Sequence, residues 1–164
     1  MGERTPMRTA HLLVLVGPAL LLGGALFGQH VFGLYPCELC MYQRWPHAAA
    51  LAIGTIALLV GGAPRRAAVV LAALAVLASG AIGAFHAGVE YGWWTSPLPC
   101  TAVETGTSGD FMRDIMAAPI VRCDAAAWEL FGISLAGYNA IFSFLIGGMA
   151  LWLMNRNSRR RWQK

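Results

Sequence analysis

Four cysteines carry the clearest chemical signal in this chain: Cys37, Cys40, Cys100 and Cys123. Cys37 and Cys40 form a CxxC motif. The disulfide of such a motif closes a small ring, exchanges readily with other thiols and has a tunable reduction potential. Cys100 and Cys123 bound a segment of 24 residues, counting both ends. The prolines just before Cys100 favour an extended, exposed backbone that a protein partner could reach. Together the two pairs predict thiol–disulfide exchange.

Two other interpretations of the cysteines stay open on spacing alone. Both pairs could be disulfides that only staple surface loops, although a CxxC ring is so small that closing it removes little chain entropy. Four cysteines could also bind zinc, but zinc sites usually contain two close pairs, and Cys100 and Cys123 are far apart in sequence. Redox chemistry fits the spacing best, and no metal is expected.

Arg44 follows Cys40 by four residues. If both lie on a helix they share a face, and because helical side chains tilt toward the N-terminus, the guanidinium would reach back toward the thiol. A fixed cation and a helix N-terminus both lower the pKa of a thiol and so favour the reactive thiolate. The alternative is an arginine that only extends to the lipid headgroups.

Long apolar runs must position these residues. The chain is 57% hydrophobic and 12% charged, whereas a soluble domain averages about 25% charged residues. A membrane-spanning helix needs about 20 mostly apolar residues, and four runs of roughly that length predict four spans. They are expected at about residues 11–29, 44–62, 67–89 and 133–154. The first run could instead be a signal peptide, but it is longer than the usual apolar core and no clean small-residue cleavage site follows it.

The basic residues indicate the orientation in the membrane. With four spans, both termini and the turn at Arg65 and Arg66 lie on one side, and these segments hold nine of the twelve Lys and Arg residues. The positive-inside rule places that side in the cytoplasm. The outer loops, at about residues 30–43 and 90–132, then hold all four cysteines in an oxidising compartment. The basic C-terminal tail is a topology signal, so no nucleic-acid partner is expected.

The predicted fold is therefore all-α, with residues 1–164 forming a single integral membrane domain that is a bundle of four transmembrane helices. Within the second outer loop, residues 110–117 are expected to form a short interfacial helix, because their apolar side chains fall on one face. His30 and His86 lie near the outer ends of the first and third spans. Two histidines in a bundle could hold haem, but neither has a partner deeper in the membrane.

The motifs around the cysteines resemble those of the DsbB family of disulfide-forming quinone reductases. In the first outer loop the resemblance rests on Gln29-His30-Val31, Pro36-Cys37-Glu38-Leu39-Cys40 and Gln43-Arg44. In the second it rests on Pro97-Leu98-Pro99-Cys100, Val121-Arg122-Cys123-Asp124, Trp128 and the segment Gly132-Ile133-Ser134-Leu135-Ala136-Gly137-Tyr138-Asn139. The resemblance covers nearly the whole chain and is weakest between Cys100 and Cys123.

The resemblance implies an electron relay in a bacterial inner membrane. A reduced DsbA-like protein with a thioredoxin fold would attack Cys100 of a Cys100–Cys123 disulfide, and the freed Cys123 could then attack Cys37. Cys40 would face a membrane quinone, either ubiquinone or menaquinone, which leaves as quinol. Arg44 would belong to the quinone site with Cys40, and His30 or His86 could hydrogen-bond a quinone carbonyl.

Three rival functions are weighed beside this one. A vitamin K epoxide reductase-like enzyme also combines four helices with a loop cysteine pair and a CxxC, but its CxxC is expected in the last span, where this chain has no cysteine. A disulfide-stapled membrane scaffold would keep its CxxC oxidised and trap no partner. A branch of the DsbB family dedicated to one client stays open.

Overall fold

Four long helices dominate the computed structural model, which describes residues 4–96, 101–103 and 120–162. They are α1 (Arg4–Phe32), α2 (Glu38–Leu59), α3 (Gly62–Glu90) and α4 (Leu135–Trp162). Helix α3 packs most extensively, against α2 and α4, and α1 contacts the same two helices. The helical fold class predicted from the apolar runs is confirmed.

Three of these helices are long and apolar enough to cross a membrane: Thr5–Phe32, Gly62–Glu90 and Leu135–Arg156. Helix α2 is not among them, and its first half carries the polar side chains of Glu38, Gln43, Arg44 and His47. The outer surface of the bundle is apolar, and Leu20, Leu59 and Leu145 each expose more than half of their surface. Such a surface suits lipid, and these features are compatible with a multi-pass membrane protein.

The second outer loop contains short β-ladders that the sequence did not predict. β1 (Thr101–Val103) pairs antiparallel with β2 (Ile120–Arg122), and β3 (Glu129–Leu130) pairs antiparallel with β4 (Ile133–Ser134). Strands of two or three residues are too short to show an alternating pattern. The predicted interfacial helix at residues 110–117 lies outside the described residues.

A two-residue turn leads from β3 to β4 and so to the start of α4. Phe131 and Gly132 both have positive φ, 52° and 74°, as in the tight turns that match strand twist. The Tyr91 hydroxyl at the end of α3 donates to the Gly132 carbonyl and accepts from the Ser134 amide. This contact fastens the hairpin, and with it the start of α4, to the end of α3.

Glycines allow α3 and α4 to approach closely. A Cβ at Gly83 would lie 2.9 Å from Asn139 Nδ2 and 3.0 Å from the Ala136 carbonyl oxygen, and a Cβ at Gly147 would lie 2.7 Å from Leu77 Cγ. Small residues at helix interfaces are the usual means of close packing in membranes. At Gly83 the close approach also lets the Asn139 amide reach across to α3.

The interior of the bundle has two parts. Away from the cysteines, small apolar side chains from all four helices form one cluster: Ala10, Val14, Ala50, Ala57, Val69, Ala72, Ala73, Val76, Ala150 and Met154. Toward the cysteines, polar side chains are buried among apolar ones: Gln43, His47, Ser79, His86, Ser134 and Ser143. The second part surrounds the candidate site.

Candidate functional site

A tight turn at the end of α1 presents the CxxC motif at the start of α2. Gly33 ends α1 with φ of 66°, a conformation that glycine adopts without strain. Cys37 then caps α2, since its Sγ accepts a hydrogen bond from the Cys40 amide at 3.4 Å. Cys37 is buried and Cys40 half-buried, so both thiols lie at the positive end of a helix dipole.

The two thiols of the motif share one proton unequally. Cys37 Sγ donates to Cys40 Sγ across 3.3 Å. This hydrogen bond lowers the pKa of Cys40 to about 4 against the opposing effect of burial, with further help from His86. The same hydrogen bond, together with burial, raises the pKa of Cys37. Cys40 is therefore the thiolate of the pair, and Cys37 keeps its proton.

His86 reaches the thiols from α3. Its ring is 1% exposed, and Nε2 lies 3.4 Å from Cys37 Sγ and 3.7 Å from Glu90 Oε1. The other ring nitrogen, Nδ1, lies 2.7 Å from Gln43 Nε2. Which nitrogen of His86 holds the proton decides whether the ring donates to the thiols or competes with them.

The side-chain amides of Asn139 and Gln43 determine which ring nitrogen of His86 carries the proton. The Ser79 carbonyl only accepts, so the Asn139 atom 3.2 Å away must be Nδ2, which also donates to Gln43 Oε1 at 2.8 Å. Gln43 therefore presents its Nε2 to His86, and because an amide nitrogen only donates, His86 Nδ1 must accept. A neutral His86 thus carries its proton on Nε2 and points it at the thiols.

Cys123, from the second outer loop, lies against the CxxC motif. It is 1% exposed and packs with Cys37, Leu39 and Val89. The Cys123 thiol lies within hydrogen-bonding range of Cys37, where it contributes to raising the pKa of the Cys37 thiol. Two of the predicted redox cysteines, far apart in sequence, are thus neighbours in space.

Cys100, the partner predicted for Cys123, lies outside the described residues. The flanking strands are described, and Thr101 of β1 pairs with Arg122 of β2. The residues that follow Cys100 and precede Cys123 are therefore partners in one ladder. Beyond β2, Arg122 makes a bidentate ion pair with Asp124, which lowers the pKa of that carboxyl.

A cavity of about 650 Å³ opens beside Cys40, between α1, α2 and α4. Its walls are mostly apolar, with the side chains of Leu20, Leu21, Leu22, Phe27, Phe32, Leu34, Leu135 and Phe142 among them. Side chains with polar atoms interrupt this surface, among them Cys40, Gln43, Arg44, His47 and Asn139. A mostly apolar cleft of this size with a few convergent polar groups is the usual form of a site for a small organic molecule.

Arg44 lines this cavity together with Cys40. Its guanidinium donates to Gln29 Oε1 at 2.5 Å and to the Ala25 carbonyl at 3.5 Å, so it is held by α1. His30 is exposed and hydrogen-bonds the Leu26 carbonyl. Neither His30 nor His86 is among the residues that line the cavity, so a direct contact of either with a ligand stays a prediction.

Sequence reasoning missed His47, Gln43 and Asn139 as site residues. Cys40, Gln43, Arg44 and His47 all line the cavity, and their spacing of three, four and seven residues places them on one face of a helix. That spacing is a signal the sequence does contain. Asn139 gives no comparable local signal, because its partners Gln43 and Ser79 lie on other helices.

Cys37, Cys40 and His86 offer ligand atoms within 4.8 Å of one another, the one such group among the residues that the structure describes. A metal would need His86 Nε2 without its proton and Nδ1 donating to an acceptor. Nδ1 instead faces the donor Nε2 of Gln43. The hydrogen bonds around this cluster therefore suit thiol chemistry better than metal binding.

Comparison with known proteins agrees with this geometry. The family model described as "Disulfide bond formation protein DsbB" matches residues 7–153. A protein named disulfide bond formation protein B from Verminephrobacter eiseniae is 35% identical, and the match covers 96% of this chain and 90% of that protein. Its namesake from Marinobacter nauticus is 32% identical, with 92% and 94% covered. No solved structure matches the chain. The chain therefore belongs to the DsbB family of disulfide bond formation proteins, a family of disulfide-forming oxidoreductases.

Proposed function

We propose that this protein reoxidises a DsbA-like thiol oxidase of the periplasm and passes the electrons to a membrane quinone. The observation that supports this most directly is the position of Cys40. Its thiol is the acidic member of the CxxC pair, and it also lines the 650 Å³ cavity. A thiolate on the wall of an apolar cleft is where electrons from a protein dithiol could reach a small lipid-soluble acceptor.

On the protein side, the relay uses thiols that are close together. The buried contact of Cys123 with Cys37 suits a transfer in which Cys123 attacks Cys37 of an oxidised CxxC. A disulfide then forms between Cys123 and Cys37, and Cys40 leaves as a thiolate. Its low pKa makes it a good leaving group. Cys100 is the proposed point of attack by the partner, in a disulfide with Cys123.

On the membrane side, the cavity fits a quinone headgroup. Its walls are apolar, and its polar groups lie along one face of α2 and on α4. A bound quinone would take up two electrons and two protons and leave as quinol, while the cysteine pair loses the same two electrons and two protons and closes a disulfide. Arg44 would stabilise negative charge on an oxygen in the cavity, and the His86 Nε2–H would keep Cys40 ionised.

The proposed setting is the bacterial inner membrane. We place spans at about residues 11–29, 44–62, 67–89 and 133–154, with both termini in the cytoplasm and the cysteine loops in the periplasm. Helices α1, α3 and α4 support this by length and apolarity. Residues 44–62 support it less, because α2 begins with polar side chains, but Gln43, Arg44 and His47 line the cavity.

The central test is quinone reduction by the purified protein, with a reduced thioredoxin-fold donor and either ubiquinone or menaquinone. We expect quinol to form at one equivalent per donor disulfide. A stapled scaffold, the rival function, would produce no quinol with any donor, and its CxxC would stay fully oxidised in membranes. That outcome would exclude the proposal.

The point of attack can be trapped. In Cys123→Ala, Cys100 is a free thiol, so the trap uses the oxidised partner: Cys100 attacks its disulfide, one partner sulfur bonds to Cys100 and the other leaves as a thiolate. Without Cys123 to resolve it, this mixed disulfide should accumulate on non-reducing gels. Cys100→Ala serves as the matched control and should trap nothing. If only Cys100→Ala forms an adduct, the two cysteines have the reverse roles.

A further inference from the structure

His47 is a polar group on the cavity wall that the relay does not use. It is 3% exposed, and it lies seven residues beyond Cys40 on the same face of α2, about 10 Å further into the bundle at 1.5 Å per residue. Both residues line the same cavity. A ring that contacts Cys40 with one edge would therefore present its opposite edge toward His47.

One nitrogen of His47 is fully engaged. Nε2 lies 2.8 Å from Asn139 Oδ1 and 2.9 Å from Ser79 Oγ. The Ser79 carbonyl already determines the orientation of the Asn139 amide, so its Oδ1 can only accept from His47. Ser79 Oγ uses its own proton on the Gln43 carbonyl, so it too accepts. His47 Nε2 must therefore carry a proton.

The other nitrogen, Nδ1, has no hydrogen-bond partner among the described residues, and neighbouring atoms cover it, so a ligand in the cavity reaches it only when the ring or a neighbouring side chain shifts. In a neutral ring whose proton is on Nε2, Nδ1 is a bare acceptor. Buried polar atoms without partners are rare in folded proteins, and each one calls for an explanation such as an absent ligand. The ligand that would satisfy this atom must donate a hydrogen bond.

We propose that His47 Nδ1 accepts a hydrogen bond from the hydroxyl of quinol, so that the cavity holds the reduced form more tightly than the oxidised form. The inference rests on the proposed function. A quinone carbonyl only accepts, and it would face the lone pair of Nδ1. A quinol hydroxyl donates and is complementary to it. The preference acts in the direction of the reaction, because tighter binding of the product raises the potential of the bound acceptor.

The size of the effect follows from one hydrogen bond. Such a bond makes a net difference of up to about tenfold in affinity, and a tenfold difference between the two forms raises the potential of a two-electron couple by about 30 mV. The same preference slows release of quinol. His47 therefore acts as a binding and specificity residue rather than as a catalytic one.

The test compares affinities for a short-tailed ubiquinone and for its quinol, using the full-length protein in lipid nanodiscs. Quinone binding is measured with the cysteine pair oxidised and quinol binding with it reduced, so that no electrons move. In His47→Leu we expect affinity for quinol to fall about tenfold, while affinity for quinone changes less than about twofold. Phe142→Leu, on the same cavity wall, is the matched control and should change both affinities alike.

A second measurement on the unaltered protein covers the case in which His47→Leu does not fold. The side-chain ¹⁵N resonance of His47 Nδ1 should shift when quinol is added and stay in place when quinone is added. Equal loss of both affinities in His47→Leu, or an Nδ1 resonance that ignores quinol, would overturn the inference and leave quinone reduction intact. Failure of the unaltered protein to bind or reduce any quinone would overturn the proposed function instead.

Discussion

The two ends of the bundle are built from the same four helices, and their interiors differ in how many polar side chains they bury, with His11 the buried polar side chain at the end away from the cysteines. Away from the cysteines, small apolar side chains fill the space between helices, with Ala50, Ala72 and Ala73 fully buried. Near the cysteines, Gln43, Asn139, Ser79 and two histidines form a continuous hydrogen-bonded network. One end is packed for close contact, whereas the other holds polar groups in one arrangement.

The two interiors differ in the free-energy cost of burying their side chains. Small apolar residues lose little on burial, but each buried polar group costs free energy unless it is hydrogen-bonded. Nearly all polar groups of the network are hydrogen-bonded. The arrangement points the Nε2 proton of His86 at the thiols and leaves the acceptor Nδ1 of His47 without a partner among the described residues. The polar end is organised around chemistry, so changes there should alter activity first, and changes at the apolar end should alter stability first.

The largest effect is expected for the thiolate itself. Cys40→Ser removes the thiol that lines the cavity and that we propose exchanges electrons with quinone, so quinone reduction should fall to background while the bundle still folds. Stopped-flow absorbance with saturating reduced partner measures the rate, and Ser143→Ala, which removes only a 3.3 Å hydrogen bond to Asn139, is the control. Residual turnover of Cys40→Ser near the normal rate would show that electrons leave by another route.

Arg44 and Arg65 permit a direct comparison of the two ends. Arg44 lines the cavity, whereas Arg65 hydrogen-bonds His11 at the far end. Arg44→Ala removes the cation that we propose stabilises charge on the acceptor, and kcat/KM for quinone should fall about 10²-fold. Arg44→Lys keeps the charge but lacks the planar guanidinium, so its kcat/KM for quinone should lie between those of the unaltered protein and Arg44→Ala.

Arg65→Ala should leave KM for quinone unchanged and lower only thermal stability. Steady-state kinetics with varied quinone separate KM from kcat for all three variants. Unchanged kinetics in Arg44→Ala would mean that this arginine is only an anchor on α1.

The hydrogen bond between Gln43 and His86 predicts different outcomes for two changes at Gln43. Gln43→Leu frees His86 to move its proton to Nδ1 and turn a lone pair toward the thiols, so the pKa of Cys40 should rise from about 4 by at least about one unit, or about 1.4 kcal/mol. Gln43→Glu accepts from Nδ1–H, and its negative charge favours the doubly protonated ring, so His86 keeps a proton on Nε2 as well and the pKa of Cys40 should stay close to 4.

The pH at which the Cys40 thiolate is lost distinguishes the two variants. Thiolate is present above the pKa and is lost as the pH falls through it, so the loss should occur at higher pH in Gln43→Leu. Ultraviolet absorbance of the thiolate against pH measures it in the reduced protein, with Cys40→Ser subtracted. Equal midpoints in all forms would show that Gln43 does not control His86.

The features that could be predicted from sequence are those with a local signature. Runs of about 20 apolar residues identify the helices, the CxxC spacing identifies the redox pair, and Arg44 follows from its distance to Cys40. The hydrogen-bonded network could not be predicted, because Gln43 and Asn139 are 96 residues apart and their contact depends on how α2 and α4 are placed against α3. The short β-ladders could not be predicted, because strands of two or three residues are too short to show a hydrophobic period. The cavity could not be predicted, because it is a space between three helices.

The smallest effect on activity, and the clearest test of the apolar end, comes from two adjacent glycines of α4. A Cβ at Gly147 would lie 2.7 Å from Leu77 Cγ and 3.0 Å from the Ala73 carbonyl oxygen, whereas a Cβ at Gly148 meets nothing within 4 Å. Gly147→Ala should therefore force α3 and α4 apart and destabilise the fold by about 1–3 kcal/mol.

Gly148→Ala adds helix propensity without a clash and should stabilise by about 0.5–1 kcal/mol. Unfolding in detergent micelles, followed by circular dichroism, measures both changes, and quinone reduction below the melting temperature should be nearly normal in each. If Gly147→Ala instead loses activity while keeping its stability, the packing of α3 on α4 at the apolar end must reach the network through Asn139, and the two ends would act as one unit.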